Sequence, residues 1–301
     1  TRRCAEITVL VDALAADGRR PGQRPMLLGD SPGLSEDDAP PRAPAGASAY
    51  LKIADGCSAP CAFCAIPLIK GPARSRPAER ILAEARQLAA GGARELILIA
   101  QDTTAYGRDL GLSDGLPHLI ERILDAVPQL DWLRLMYAYP QQITPRLIEV
   151  MASRPQVCHY LDLPLQHGHP DVLRRMRRPH DVEAVLAQIE RLRAAMPDIA
   201  LRTSLIVGFP GESEAEFAAL LEFLEHIAFD RVGAFMYSPE ADTPAAQMPG
   251  QIPARVKRER YAQLMERQRA ISLARNQALL GRRLAVLVEG RGEGLSVGRT
   301  Y

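Results

Sequence analysis

A sixfold alternation of pattern constrains the fold of this chain more than any other feature. From Tyr50 onward, short apolar runs of strand length at 50–54, 95–100, 132–136, 160–164, 200–207 and 231–237 are separated by longer amphipathic stretches at 77–90, 116–127, 145–153, 182–196, 214–227 and 254–280. In the first of these stretches, Ile81, Leu82, Ala85, Leu88 and Ala89 recur at helical spacing and form one apolar face. Ser75 and Pro77 suit its N-cap and first turn. Ser213 followed by Glu216 has the spacing of a capping box, which starts the helix over 214–227. Strands that each lead into a helix pair in parallel, through right-handed crossovers. The expected fold is therefore α/β: a partial, open parallel (β/α)6 barrel of TIM type. Such barrels carry their chemistry at the carboxyl ends of the strands.

The flanks differ. Residues 21–49 are rich in Pro, Gly, Ala and acidic groups, without a period, and a weak apolar patch at 7–14 precedes them. Strand-like alternation returns at 283–289 and again at 295–297, as in the opening hairpin of a small C-terminal β domain. The expected organisation is a linker and domain remnant over 1–48, a core over 49–280 and the start of a β domain over 281–301. Of 301 residues, 47% are apolar and 24% charged, and the formal net charge is +1. That balance supplies a core but no global field for nucleic acid, so nucleic-acid contact is expected to be secondary. No apolar run is long enough to cross a bilayer and no signal-peptide pattern stands at the amino terminus, which makes a cytoplasmic protein without a membrane partner the expectation.

Three of the five cysteines fall within eight positions, in Gly56-Cys57-Ser58-Ala59-Pro60-Cys61-Ala62-Phe63-Cys64, just after the first strand. A reducing compartment and a metal site account for that clustering better than disulfides do in a chain this long. Three soft thiolates on one tight loop can reach three corners of an iron–sulfur cubane and leave the fourth iron open. A zinc knuckle completed by Cys158, His159 or His167 is the alternative, although zinc ligands usually come in close pairs rather than in a triplet spaced three then two.

With Phe63 before its last cysteine, this triplet resembles the motif of radical S-adenosylmethionine (SAM) enzymes. The stretches 99–107 (IAQDTTAYG), 161–167 (LDLPLQH), 206–212 (IVGFPGE) and 237–240 (YSPE) resemble the methylthiotransferases of that superfamily, and most of all the RimO-type branch. The tRNA-modifying branch typically has Gly-Gln-Asn where Ala100, Gln101 and Asp102 stand, and Ser in place of His167. The resemblance implies a [4Fe-4S] cluster on Cys57, Cys61 and Cys64, with SAM chelated to the open iron. Its reductive cleavage to a 5′-deoxyadenosyl radical would use an electron from a donor such as flavodoxin or ferredoxin. Hydrogen is then taken from the β-carbon of an aspartate in a small-subunit ribosomal protein, and a methylthio group is added. The expected SAM contacts are Phe63, Gln101, Gln166, Gly208, Gly211 and Glu212. Asp102, Thr103 and Thr104 are candidate supporting or substrate contacts. Full-length relatives also carry an auxiliary [4Fe-4S] cluster on three further cysteines. Cys4 is the only cysteine before Tyr50, so that cluster is not expected from this chain, which reads as a fragment lacking most of a C-terminal TRAM domain.

Taken from the residues alone, the Gly208–Gly211 loop is a glycine turn after a strand, without the Gly-x-Gly-x-x-Gly fingerprint. His167 and His169 read as loop residues rather than ligands, and Cys158 as a buried thiol. Lys70, Arg74 and Arg76 flank the cysteine loop and suit either a carboxylate or solvent. Arg174-Arg175-Met176-Arg177-Arg178 is a basic run suited to RNA or to a helix end, and 255–275 is charged on several faces, like a solvated helix. The competing functions are a tRNA methylthiotransferase and a non-catalytic iron–sulfur module.

Overall fold

The computed structural model describes residues 46–301. Cys4, the patch at 7–14 and nearly all of the 21–49 segment lie outside the described residues. Six strands form one all-parallel sheet: β1 (Ser48–Lys52), β4 (Glu95–Ile99), β5 (Trp132–Leu135), β6 (Val157–Asp162), β7 (Ala200–Val207) and β8 (Arg231–Met236), in that spatial order. β8 does not pair with β1, so the sheet is an open barrel, as the alternation predicts.

Side-chain alternation divides the sheet into two faces. Leu51, Leu96, Leu98, Leu133, Leu135, Leu161, Leu201 and Leu205 point outward and are buried beneath the helices in one core. Tyr50, Ile97, Arg134, Met136, Tyr160, Ala200 and Arg231 line a cavity on the concave face, with a volume of about 550 Å³. Each fully buried leucine is worth roughly 1.5–3 kcal/mol of transfer free energy, so the outer face stabilises the fold and leaves the inner face free for polar groups.

The expected helices are present as α2 (Ala78–Ala90), α3 (Gly115–Ala126), α4 (Pro145–Ser153), α6 (Val182–Ala195), α7 (Glu214–Ile227) and α8 (Ala254–Gln277). Two further helices, α1 (Ile66–Lys70) and α5 (Pro170–Arg175), are too short for periodicity to reveal. α7 carries the expected capping box between Ser213 and Glu216. The cap expected from Ser75 is absent. Pro77 occupies the N-cap of α2 without a side-chain bond, while Ser75 forms β3 (Arg74–Ser75) and donates its hydroxyl to Asp109.

The first strand also ends earlier than expected. β2 (Ala54–Asp55) is a separate piece that pairs antiparallel with β3, so the cysteine loop is the tip of a small hairpin rather than the direct continuation of β1. Nor is α8 simply solvated: Lys257, Arg260, Leu264 and Gln268 are buried on one of its faces.

The carboxyl end forms a hairpin of β9 (Leu287–Gly292) and β10 (Leu295–Arg299). It covers the amino-terminal end of the barrel. The Tyr301 ring meets Trp132 edge-on at 6.1 Å, and Arg299 pairs with Glu95, which is also held by Arg134 at 2.8 Å. The opposite end, where the strands finish, is left for the site.

Candidate metal centre

The cysteine loop owes its shape to backbone contacts that the sequence only hints at. Gly56 has φ +70°, and a Cβ there would sit 2.2 Å from the Pro72 carbonyl oxygen, so only glycine lets the hairpin close. Beyond it, the Cys57 N–H donates to the Gly71 carbonyl at 3.1 Å and the Ala59 N–H points at Cys57 Sγ at 3.4 Å. Ala62 at the loop's centre is wholly buried. Its N–H donates to the Met176 carbonyl at 2.9 Å, and its carbonyl accepts from the Ala245 N–H at 2.8 Å.

Cys57, Cys61 and Cys64 are free, half-buried thiols with no disulfide among them. Burial pushes the Cys57 thiol above its ordinary range, with Cys61 and Asp102 adding in the same direction and Ala59 opposing. Such a thiol loses its proton when a bound cation stabilises the thiolate. A cavity of about 560 Å³ opens beside the loop, lined by Cys57, Pro60, Asp102, Arg108, Tyr139 and Gln142 among others. Its size is that of small-molecule sites in general. Three soft donors on one loop, next to such a space, fit an iron–sulfur cluster with a ligand on its open iron.

A second loop is packed against the first. Ala62, Val172, Met176, Ile206, Phe209, Tyr237 and Ala245 form an apolar cluster, with Phe63 lying against it. The Phe63 and Phe209 rings meet edge-on, 6.5 Å between centroids. The structure thus brings Phe63 beside the Gly208–Gly211 loop, although the two are far apart in sequence. Gly208 and Gly211 both have positive φ, and a Cβ on Gly208 would fall 2.4 Å from the Lys257 side chain. Gln166 holds φ +76° and bridges to β7, its N–H donating to Ser204 at 2.9 Å and its carbonyl accepting from Ile206 at 2.8 Å. Gln101 is exposed just past β4, next to Asp102. Asp102 is pushed up by burial, against hydrogen bonds from Thr104 and the Ala105 backbone.

Glu212 corrects the expectation of a SAM contact. Its side chain is wholly buried, with Oε2 accepting the N–H groups of Gly208 at 2.8 Å and Phe209 at 3.2 Å, and Oε1 accepting Arg260 Nη1 at 2.9 Å. The carboxylate shapes the glycine loop from behind and presents no free oxygen to a ligand. His167 lies in a loop, as expected, but is buried with Nε2 3.7 Å from Glu212, and burial lowers its pKa. His169 caps α5 by accepting the Asp171 N–H.

Of the flanking cations, Lys70 and Arg74 are exposed and Arg76 is half-buried. Lys70 pairs with Asp55 at 2.7 Å, and Arg76 binds Glu84 and the Lys52 carbonyl. In the basic run, Arg174 pairs with Asp171 and Arg175 with Glu216, while Arg178 is buried and reaches Cys61. Arg175 and Arg178 are thus held by the fold, whereas Arg174 and Arg177 are exposed. Arg260, Lys257 and Tyr139 were not singled out from sequence. The buried lysine and arginine of α8 could have been suspected only if the Gly208 loop were known to need a packing partner.

The described chain belongs to the radical SAM superfamily, whose family model matches residues 51–224. Among individual proteins it is similar to the ribosomal protein uS12 methylthiotransferase RimO of Chloroflexus aurantiacus, 56% identical over 259 residues covering 84% of this chain and 57% of that protein. It is also similar to RimO of Herpetosiphon aurantiacus, 50% identical over 298 residues covering 96% of this chain and 64% of that protein. The chain thus spans between half and two thirds of the length of these curated relatives. At the level of fold it resembles the radical SAM methyltransferase TsrM from Kitasatospora setae, solved with cobalamin and a [4Fe-4S] cluster bound. That match has TM-score 0.55 at 17% identity and covers 66% of this chain and 38% of that one. Escherichia coli coproporphyrinogen III oxidase, HemN, matches with TM-score 0.51 at 17% identity, covering 78% of this chain and 52% of that one.

Proposed function

We propose that this chain is the radical SAM part of a protein methylthiotransferase that modifies the β-carbon of an aspartate in the small-subunit ribosomal protein uS12. The observation that carries the reading is the cysteine triplet, held free and half-buried beside a cavity at the strands' carboxyl ends. Similarity to the RimO proteins at 48–56% identity supplies the substrate class. Cys57, Cys61 and Cys64 would hold the [4Fe-4S] cluster, with SAM on its open iron. When bound, that pair supplies a radical able to take hydrogen from an unactivated carbon.

The chain's own residues position and shield this chemistry. Phe63, Phe209 and Tyr237 form an apolar wall beside the cysteine loop, which keeps water from reactive species. Glu212 and Arg260 fix the backbone of the Gly208–Gly211 loop, so its glycines can approach the adenosine of SAM closely. Gln101 and Gln166 stand at strand ends where their amides can bind polar groups of SAM. A reducing protein such as flavodoxin or ferredoxin is the electron donor. Arg175 and Arg178 are held within the fold, which leaves only the exposed Arg174 and Arg177 of the basic run for RNA and disfavours a tRNA substrate. No described helix is long and apolar enough to cross a membrane.

Anaerobic reconstitution with iron and sulfide, followed by dithionite and SAM, tests the reading. The expected result is 5′-deoxyadenosine, and with a uS12 loop peptide, consumption of the peptide's β-hydrogen. Iron-loaded protein that leaves SAM intact would reduce the chain to a non-catalytic module, and zinc in place of iron would end the reading.

A further inference from the structure

Among the described residues, Arg178 is a buried cation whose place the proposed activity does not explain. Its side chain is buried, with 8% of the residue exposed, and carries a permanent positive charge. Burying a guanidinium is costly unless an anion sits beside it. Yet among the described residues no carboxylate lies within ion-pairing distance of it, whereas Arg134, Arg202 and Arg260 each have one. Its nearest groups are of another kind. Nη1 points at Cys61 Sγ at 3.7 Å, Nη2 donates to the Pro164 carbonyl, and the guanidinium stacks on the Tyr139 ring, 4.1 Å from its centroid. Nε is buried without a partner.

The backbone is built to hold it there. After α5 the chain reverses through Arg177 at φ +53°, an uncommon left-handed conformation for a residue other than glycine, and the Arg178 N–H donates back to the Leu173 carbonyl at 2.8 Å. The same turn is tied to the cysteine loop by the Ala62–Met176 hydrogen bond. Loop, turn and guanidinium therefore keep a set distance, and the stack on Tyr139 leaves the fork little freedom to swing away.

We infer that Arg178 sets the reduction potential of the cluster held by Cys57, Cys61 and Cys64, acting through an N–H···S bond to Cys61 and through its unneutralised charge. The inference rests on the proposed reading that these cysteines bind a [4Fe-4S] cluster. Reduction adds one negative charge to a thiolate-ligated cluster that is already anionic, and both a hydrogen bond to sulfur and a nearby cation favour the reduced form. Arg178 thus raises the potential and eases electron entry. It is a positioning residue: it touches a ligand, not the substrate.

The test is an anaerobic redox titration of reconstituted wild-type, Arg178→Gln and Arg178→Lys proteins, following the reduced cluster by electron paramagnetic resonance, with iron measured on each sample. With full iron, Arg178→Gln is expected to lower the reduced-to-oxidised ratio at a fixed potential at least tenfold, which is about 59 mV for one electron. Arg178→Lys, which keeps the charge but not the fork, should fall between the two. Equal midpoints at equal iron would overturn the inference. If the variants fail to hold iron, wild-type protein labelled with guanidino-¹⁵N arginine decides instead, without SAM. A ¹⁵N hyperfine coupling to the reduced cluster supports the inference, and its absence overturns it. A wild-type protein that binds no cluster at all would instead overturn the proposed function on which the inference stands.

Discussion

Replacing Glu212 with glutamine tests how the glycine loop is built. The substitution keeps size and shape and removes only charge and one acceptor. With its oxygen toward the Gly208 and Phe209 N–H groups, the new amide must turn its NH2 on Arg260; flipped, it sets that NH2 against the two backbone donors. Either way a donor meets a donor in a fully buried site, and of its two carboxylate partners the buried Arg260 keeps only the exposed Glu214, beside its bond to the residue 212 backbone carbonyl. Breaking a buried pair by removing one partner costs about 3–5 kcal/mol, and the remaining Glu214 contact places this case near the lower end, at roughly 3 kcal/mol. At about 2–4 °C per kcal/mol for a domain of this size, thermal unfolding followed by far-ultraviolet circular dichroism at pH 7 should show a midpoint lowered by roughly 6–12 °C. Arg260→Met should cost a similar amount, and the double variant should be less destabilised than the sum by about 1.5 kcal/mol or more. A single-variant loss below about 1 kcal/mol, with additive behaviour, would refute the view that this carboxylate holds the loop.

Three further outcomes are expected. Gly56→Ala places a methyl against the Pro72 carbonyl at a left-handed backbone position, so iron per chain after reconstitution should fall well below wild type; unchanged iron would contradict the assigned loop geometry. Cys158 is buried on β6 and its thiol is pushed up to about 12 by burial, so Cys158→Ser should load iron as wild type does while Cys61→Ser should not; equal losses would make Cys158 a fourth ligand. Burial pushes the Glu216 carboxyl up, but the Arg175 and Ser213 hydrogen bonds outweigh it and bring it from 4.5 to about 2. Its stabilisation is complete above about pH 4.5 and is lost as pH falls toward 2. After allowance for solvent screening it is worth roughly 1–2 kcal/mol. Glu216→Gln should therefore lower the urea midpoint at pH 7 and flatten its decline below pH 4.5; an unchanged slope there would assign the acid sensitivity to other groups.

Much of the architecture was legible in the residues because strand and helix periods are local properties. The six strands and their helices follow from alternating faces, and the capping box of α7 follows from two side chains three positions apart. The cysteine triplet was legible for the same reason: its spacing lies within one loop, and the softness of a sulfur donor is a property of the residue itself. Local pattern failed where a distant backbone group competed. Ser75 was drawn from its capping role by Asp109, and the first strand was cut short because Ala54 and Asp55 pair with β3.

The occupants of the site belong to the tertiary structure. Sequence presents Glu212 as a polar residue of a glycine loop, but Arg260, forty-eight positions away, turns it into a buried strut. It presents Arg178 as one of four arginines in a basic run, but the turn after α5 and its tie to Ala62 bring that one guanidinium to a cysteine 117 positions earlier. Charge and hydrogen-bonding capacity are properties of a side chain. Whether they are spent on solvent, on the protein's own backbone or on a bound group depends on which segments the fold brings within about 3 Å, and that distance is decided only when the barrel forms.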